Sequence, residues 1–480
     1  MNGGGQPLRN VAKIALAALL VLLTGAFVFY KERVLFADTA YILFNILNYH
    51  SFSIQEHRYG SFITQLVPYL GQLFHLPVRV LIVGYGVSFN LFYFVAGAVL
   101  VYRLRQYFLA VLMAFYYFLF VSQSYFWINN EIHQAVAWMF LLVGALLYYG
   151  DRLIKNGWLM LCYCLLAFLT VFTHFIVIIP LVFLFIYLWL DNRYWPFSKR
   201  QSLIPASIIL GVIAAKYVFS VCHPSWDSVH LHGVTHFSFK DVYQSFSRPV
   251  ATVFLQRCLN CYWPAIIVFI SGIASLIYTR QRKKAAWVVI SVIGYFIIMG
   301  LTYAGDEDGK IELFHIESEW QCLGIIIATP FVFSFLPALK TSVASVIVII
   351  FFLIRLIYIV EEAPVFKWRI QFQEQVLAQM RKKNITKLVL YDNTAGISKK
   401  YLLNWGAPYE SLFRSVMDGD NPQLVFSFVN PDDSSTLSAL KPDRFNTGFG
   451  TIPTHTLNTE YFITDTTHPY EVMAYDEFLK

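Results

Sequence analysis

Apolar residues fill this chain in long runs nearly free of charge, and polar residues are confined to the stretches between them. The first run, about Val11 to Tyr30, suffices to cross a bilayer, which takes roughly 20 residues of helix. No small-residue cleavage site follows it, so it reads as a span rather than a signal peptide. Further runs lie near 78–102, 106–124, 132–150, 157–172, 175–191, 202–221, 262–279, 285–302, 320–339 and 342–360. The stretch 157–191 is expected to be a tight hairpin turning near Thr173 and His174. The fold class this pattern predicts is a polytopic α-helical membrane protein with about eleven transmembrane helices.

The pattern changes after Val360. Segment 363–480 is polar, with strand-like runs at 387–391, 423–427 and 461–464 and helical stretches near 367–382 and 409–417. This predicts a small C-terminal α/β or α+β domain, dividing the chain into a membrane domain, 1–362, and a C-terminal domain, 363–480.

Charge orients this arrangement. Lys and Arg cluster in short links: Arg103 and Arg105, Arg152 and Lys155, Lys199 and Arg200, then Arg280, Arg282, Lys283 and Lys284. By the positive-inside rule these links are cytoplasmic, as is the N-terminus. Loops 31–77, 125–131, 222–261 and 303–319 and the C-terminal domain are then extracytoplasmic. The links account for most of the net charge of +7, and no basic face interleaved with aromatics points to nucleic acid. Only 14% of residues are charged, against about 25% in soluble chains, which excludes a soluble protein. Six cysteines are too few for a disulfide framework. Cys162 and Cys164 read as core, whereas Cys222, Cys258 and Cys261 share an external loop where a bridge is an option.

Candidate chemistry gathers in the external loops. The first holds Asp38, then Gln55-Glu56-His57-Arg58; Tyr41, Phe44, Asn45, Leu47 and Asn48 recur between them at helical spacing. That spacing predicts an amphipathic helix lying in the membrane interface. Asp38 suits a helix N-cap as well as a catalytic carboxylate, and Glu56 to Arg58 suit a surface ion pair as well as a site. The second loop carries Trp127, Glu131 and His133; a late loop carries Phe314, His315, Glu317, Glu319 and Trp320. Lys216, inside a span, is expected either to face a cavity or to snorkel; Arg355 is expected to snorkel. His174 suits either a cavity wall or a helix end. Gly305-Asp306-Glu307-Asp308-Gly309 offers clustered carboxylates to a hard cation, or a solvated turn. His223, His230, His232 and His236 share a loop without a zinc-ligand spacing.

Asp38 in its Asp-x-Ala-Tyr setting just past the first span, Glu131 at the entry of a later span, and Phe314-His315-Ile-Glu317-Ser-Glu319-Trp320 running into a late span together resemble the GT-C superfamily of integral-membrane glycosyltransferases. Two departures stand out: Thr39 follows Asp38 where a second acid is usual, and Glu319-Trp320 stand where Arg-Tyr is expected. The resemblance implies sugar transfer from a polyprenyl-phosphate carrier to a lipid, glycan or protein acceptor on the extracytoplasmic face, in a bacterial inner membrane. It implies Asp38 as base, with Glu131 and Glu56 assisting. Arg58 and Lys216 would hold the donor phosphate, and His57, His133, His315 and Glu317 would contribute to substrate binding. No cofactor is certain, and a divalent cation, Mg or Mn, is left open. Two other classes compete. A transporter or lipid flippase predicts buried charges near the membrane midplane, broken helices and internal repeats; here the ionisable residues crowd the external ends and no repeat is visible. A non-catalytic anchoring or assembly protein would not need acids on three separate loops.

Overall fold

A computed structural model describes residues 6–478 apart from 130, 192, 199, 226–232, 304–311, 392–395 and 431–432. Among the described residues, six helices are long and apolar enough to cross a membrane: Leu8–Val28, Val78–Arg103, Glu131–Tyr149, Leu203–Cys222, Arg282–Thr302 and the apolar part of Thr341–Lys383. Three bent pairs qualify jointly: Gly157–Thr173 with Phe175–Trp189, Phe239–Asn260 with Trp263–Tyr278, and Leu313–Trp320 with Leu323–Ala338. The chain is thus a multi-pass membrane protein with six to nine candidate spans by length and composition.

Eleven spans are not confirmed by this count. Run 106–124 forms only the 13-residue helix Tyr107–Leu119. At about 1.5 Å per residue it is roughly 20 Å long, short of a ~30 Å hydrocarbon core. Its side chains from Leu109 to Leu119 are all buried, so an unbroken apolar run here marks a helix enclosed by others. The stretch 157–191 does turn at His174, where the helix direction bends by 120°. There the His174 ring accepts from the Ile176 N–H at 3.3 Å and so caps the second arm.

Buried ions hold the link that leaves Tyr107–Leu119. Arg355 is fully buried and donates to the carbonyls of Phe118 at 2.8 Å and Val121 at 2.9 Å. It therefore does not snorkel: carbonyls left open at a helix end offer its guanidinium a closer partner than the interface does. Arg33, also buried, donates to the Tyr125 carbonyl and to Asn90. Glu317 accepts from the backbone N–H groups of Ser122 (2.8 Å) and Ser124 (2.7 Å) and from the Tyr262 hydroxyl (2.7 Å). Three charges on three separate elements thus fix residues 118–125. Glu317→Ala is expected to lower stability by roughly 2–4 kcal/mol in thermal unfolding, because several buried donors lose their acceptor.

Beyond Glu361 the chain continues as helix Ala363–Lys383 into five strands: β1 Lys387–Tyr391, β2 Val425–Phe428, β3 Arg444–Asn446, β4 Thr451–Pro453 and β5 Glu471–Ala474. β1 is the centre of a parallel sheet of order β2-β1-β5, and β3 and β4 form an antiparallel pair. The helical stretches predicted near 367–382 and 409–417 are Ala363–Lys383 and Ala407–Asp418. Segment 461–464 is not a strand; it contributes one bridge, Thr464 to Gln423, while Tyr461 and Phe462 are buried in a core. The third strand comes from the more polar Glu471–Ala474, whose exposed Glu471 and Val472 conceal it from a hydrophobicity reading.

The helix predicted from residues 41–48 spans Ala37–Tyr49 but does not lie free in the membrane interface. Its apolar face is covered by the C-terminal domain: Phe44 stacks on Phe445 at 5.5 Å and meets Tyr409 at 5.0 Å and Phe462 at 5.2 Å. Each fully buried Phe or Leu contributes about 1.5–3 kcal/mol, ample reason for the helix to prefer this partner. Amphipathicity identified the face; it carried no record of what covers it.

Candidate functional site

Helix Ala37–Tyr49 begins under close constraint. Gly406 packs against Ala37 so tightly that an added Cβ would meet the Ala37 Cα at 2.5 Å. The Ala37 N–H donates to the buried carboxylate of Glu410 at 2.6 Å, and Ala37 has a positive φ of 30°. Asp38 follows. Its side chain does not cap the helix, whose N-cap is Phe36 without a side-chain bond. Instead the carboxylate accepts from the Trp127 indole at 3.0 Å.

Asp38 forms one wall of a cavity of about 380 Å³. Glu56, Arg58, Glu131 and His315 line it as well. These five predicted residues come from four segments separated along the chain. Arg58 donates to Glu131 at 2.8 Å, joining the first loop to the start of helix Glu131–Tyr149; both side chains are largely buried. The surface ion pair expected within Glu56–Arg58 thus gives way to a long-range pair across the cavity wall. Glu56 and His57 are consecutive non-glycine residues with positive φ, 50° and 56°. That conformation is uncommon outside glycine and concentrates at functional sites, where the surroundings enforce it.

Burial and the nearby Glu131 charge push the Asp38 carboxyl up to about 6, against the opposing pull of the Trp127 hydrogen bond and Arg58. A carboxylate near 6 is largely ionised at neutral pH yet basic enough to take a proton in a transition state.

Four predicted site residues lie elsewhere. His57 packs against Phe219 and His223, with ring centroids 5.3 and 6.0 Å away. His133 is buried between helices, stacked on Tyr117 at 4.5 Å and bonded to the Tyr116 hydroxyl. It stands only two residues from Glu131, but residues two apart on a helix point about 200° apart. Glu317 is turned inward to pin residues 122–124. Lys216 is buried over the Phe172 ring at 5.4 Å; it neither snorkels nor lines the cavity.

The structure adds residues the sequence reading did not assign to the site: Trp127, His174, Tyr303, Glu319, Trp405 and Phe449 all line the cavity. Trp127 and Glu319 sit beside acids already singled out. Trp405 and Phe449 carry no local signal, because they reach the cavity only through docking of the C-terminal domain. A shallower groove of about 400 Å³ shares Tyr41, Gln55 and Phe449 with the cavity and passes Asn45, Ser53 and Thr447.

Among the described residues no three His, Cys, Asp or Glu side chains are grouped closely enough to hold a metal ion. The acidic segment 305–309 and His230 and His232 lie outside the described residues. All six cysteines, Cys222, Cys258 and Cys261 included, are free thiols. No protein-family model, curated protein or solved structure matches this chain.

Proposed function

We propose that the cavity is the active site of a GT-C-like glycosyltransferase that moves a sugar from a polyprenyl-phosphate donor to an acceptor hydroxyl. The observation that carries this reading is the convergence of Asp38, Glu56, Arg58, Glu131 and His315 on one cavity. Asp38 takes the acceptor proton as the acceptor oxygen attacks the anomeric carbon. The bond from that carbon to the phosphate oxygen breaks, and the polyprenyl phosphate leaves with its electron pair. Arg58 faces the charge that develops on the leaving phosphate, with Glu131 holding its guanidinium in place. The carboxylates stabilise the oxocarbenium character of the transferred sugar. On the orientation the basic links suggest, the site opens extracytoplasmically, in a bacterial inner membrane.

The groove beside the cavity suits the acceptor. Tyr41 and Phe449 offer flat apolar faces for sugar C–H groups, and Asn45, Ser53 and Thr447 offer hydrogen bonds to hydroxyls. Phe449→Ala is expected to raise the acceptor KM roughly 2–10-fold, the value of one aromatic contact, with the donor KM unchanged. Steady-state kinetics with each substrate varied in turn would show this; a donor effect of equal size would reassign Phe449.

The test of the reading is consumption of donor. Purified protein in liposomes is offered short-chain polyprenyl-phosphate hexoses and pentoses with an oligosaccharide acceptor, and release of polyprenyl phosphate is followed. Release that Asp38→Asn abolishes supports transfer. Passage of the lipid-linked sugar across the bilayer, with its glycosyl bond intact, would support the transport reading instead. The three bent helix pairs, with Lys216 and Arg355 buried in apolar helices, favour this rival.

Trp127 tunes the base. Trp127→Phe removes the hydrogen bond that lowers the Asp38 proton affinity, so the acid limb of the pH–rate profile is expected to move upward from about 6. A hydrogen bond of about 1 kcal/mol corresponds to roughly a threefold loss of rate at pH 6. A limb that stays in place would detach Trp127 from the titration.

A further inference from the structure

A second charged crevice lies apart from the cavity. It encloses about 660 Å³ where the turn between helices Trp263–Tyr278 and Arg282–Thr302 meets the link after Phe175–Trp189. Five cations line it, Arg193, Arg280, Arg282, Lys283 and Lys284, against one carboxylate, Asp191.

Cations in short links satisfy the positive-inside rule wherever they sit, so their number alone means little. Their arrangement means more. Lys284 is buried at 5% exposure, and its ammonium pairs with Asp191, which also holds Arg193 at 3.0 Å. This triad ties the two links together and gathers the remaining cations on one side. Among the described residues, Arg280, Arg282 and Lys283 have no carboxylate within ion-pair distance.

Their position on the helix is also unfavourable. Arg282, Lys283 and Lys284 occupy the first turn of Arg282–Thr302, which has no acidic residue there, and Gln281 provides no side-chain cap. Cations at the positive end of a helix oppose its dipole, whereas an anion there is stabilised by dipole and side chains together. The crevice is thus built for a bound anion.

We infer that this crevice holds the phosphodiester headgroup of an anionic bilayer phospholipid. The surroundings favour a lipid over a soluble phosphate. Ile277 and Tyr278, just before the turn, are 59% and 90% exposed, and Ile290 and Ile293 further along the next helix are 60% and 47% exposed. A phosphate in the crevice thus has apolar helix surface beside it for acyl chains. Arginine forks and lysine ammonium groups bind phosphate oxygens by charge-assisted hydrogen bonds. The inference does not depend on the proposed sugar transfer.

The test uses the full chain in nanodiscs of phosphatidylcholine containing phosphatidylglycerol, with retained lipid counted by native mass spectrometry. The wild type is expected to keep phosphatidylglycerol in preference to phosphatidylcholine. The triple variant Arg280→Gln, Arg282→Gln, Lys283→Gln spares the Asp191–Lys284 triad and is expected to lose that preference about tenfold or more, as several charged contacts disappear. Its thermal midpoint in pure phosphatidylcholine should match the wild type, which shows that the fold is kept. Single Arg282→Gln provides a milder variant and should lose part of the preference. Equal retention of both lipids by the wild type, or unchanged retention by the triple variant, would overturn the inference. Displacement of the lipid by millimolar inorganic phosphate would also overturn it, in favour of a soluble-anion site.

Discussion

Asp38→Asn is expected to lower sugar transfer by roughly 10²–10⁴-fold, the usual contribution of a general base, without harming the fold. The two parts of this expectation have one cause. The Asp38 carboxyl is raised to about 6 because burial and Glu131 disfavour its charge. A raised carboxyl binds its proton more tightly in the folded than in the unfolded state. Its contribution to stability is therefore full below the unfolded value and is lost as pH rises through the folded value of about 6. At pH 7–8 the folded protein carries this charge at a cost. Asparagine removes the charge, keeps an oxygen for the Trp127 indole, and should stabilise the fold by on the order of 1–2 kcal/mol. The wild-type rate should rise with pH through an apparent value near 6, because the base must be ionised. Kinetics and thermal unfolding of the same preparations at pH 5.5 and 8 would check all of this. Full activity in the variant would remove Asp38 from the chemistry. A large loss of stability at pH 8 would assign it a structural role.

The residues that could be found from the sequence share a property: their neighbours in the chain already mark the place. Asp38, Glu131 and His315 stand where a polar segment meets an apolar run, and a charge there needs a reason. The same rule overreached with Glu317 and His133. Both stand in similar positions, but helix geometry turns them away from the cavity, and a run of letters does not record rotation about a helix. Arg33 escaped, and Arg355 was expected to snorkel, because their partners include backbone carbonyls, which no sequence distinguishes. Trp405 and Phe449 escaped because they line the cavity beside residues hundreds of positions earlier in the chain. The strand Lys387–Tyr391 was legible since it is buried along almost its whole length; Glu471–Ala474, at the sheet edge, was not. Span number is hard to read where an enclosed helix, Tyr107–Leu119, is as apolar as one facing lipid.

Glu410→Ala is expected to be among the most damaging single changes outside the cavity. Glu410 is fully buried and accepts from Arg369 at 2.5 and 2.9 Å, Gln373 at 2.8 Å, Tyr401 at 2.5 Å and the Ala37 N–H at 2.6 Å. Arg369 is itself buried, so removing its carboxylate leaves an uncompensated cation, at a cost of roughly 3–5 kcal/mol. The loss should appear as a lower thermal midpoint and faster proteolysis within 384–478, the part docked on helix Ala37–Tyr49. A second consequence separates position from stability. The Ala37 N–H immediately precedes Asp38, so Glu410 also fixes where the proposed base stands. The double variant Arg369→Met, Glu410→Leu replaces the buried pair by apolar groups and should regain much of the stability, as such replacements often do. It offers the Ala37 N–H no acceptor, so transfer should stay depressed, in kcat more than in KM, because the base rather than the binding surface is displaced. Recovery of stability and kcat together would reduce Glu410 to a structural residue. Recovery of stability alone would make the C-terminal domain part of the machinery that positions Asp38.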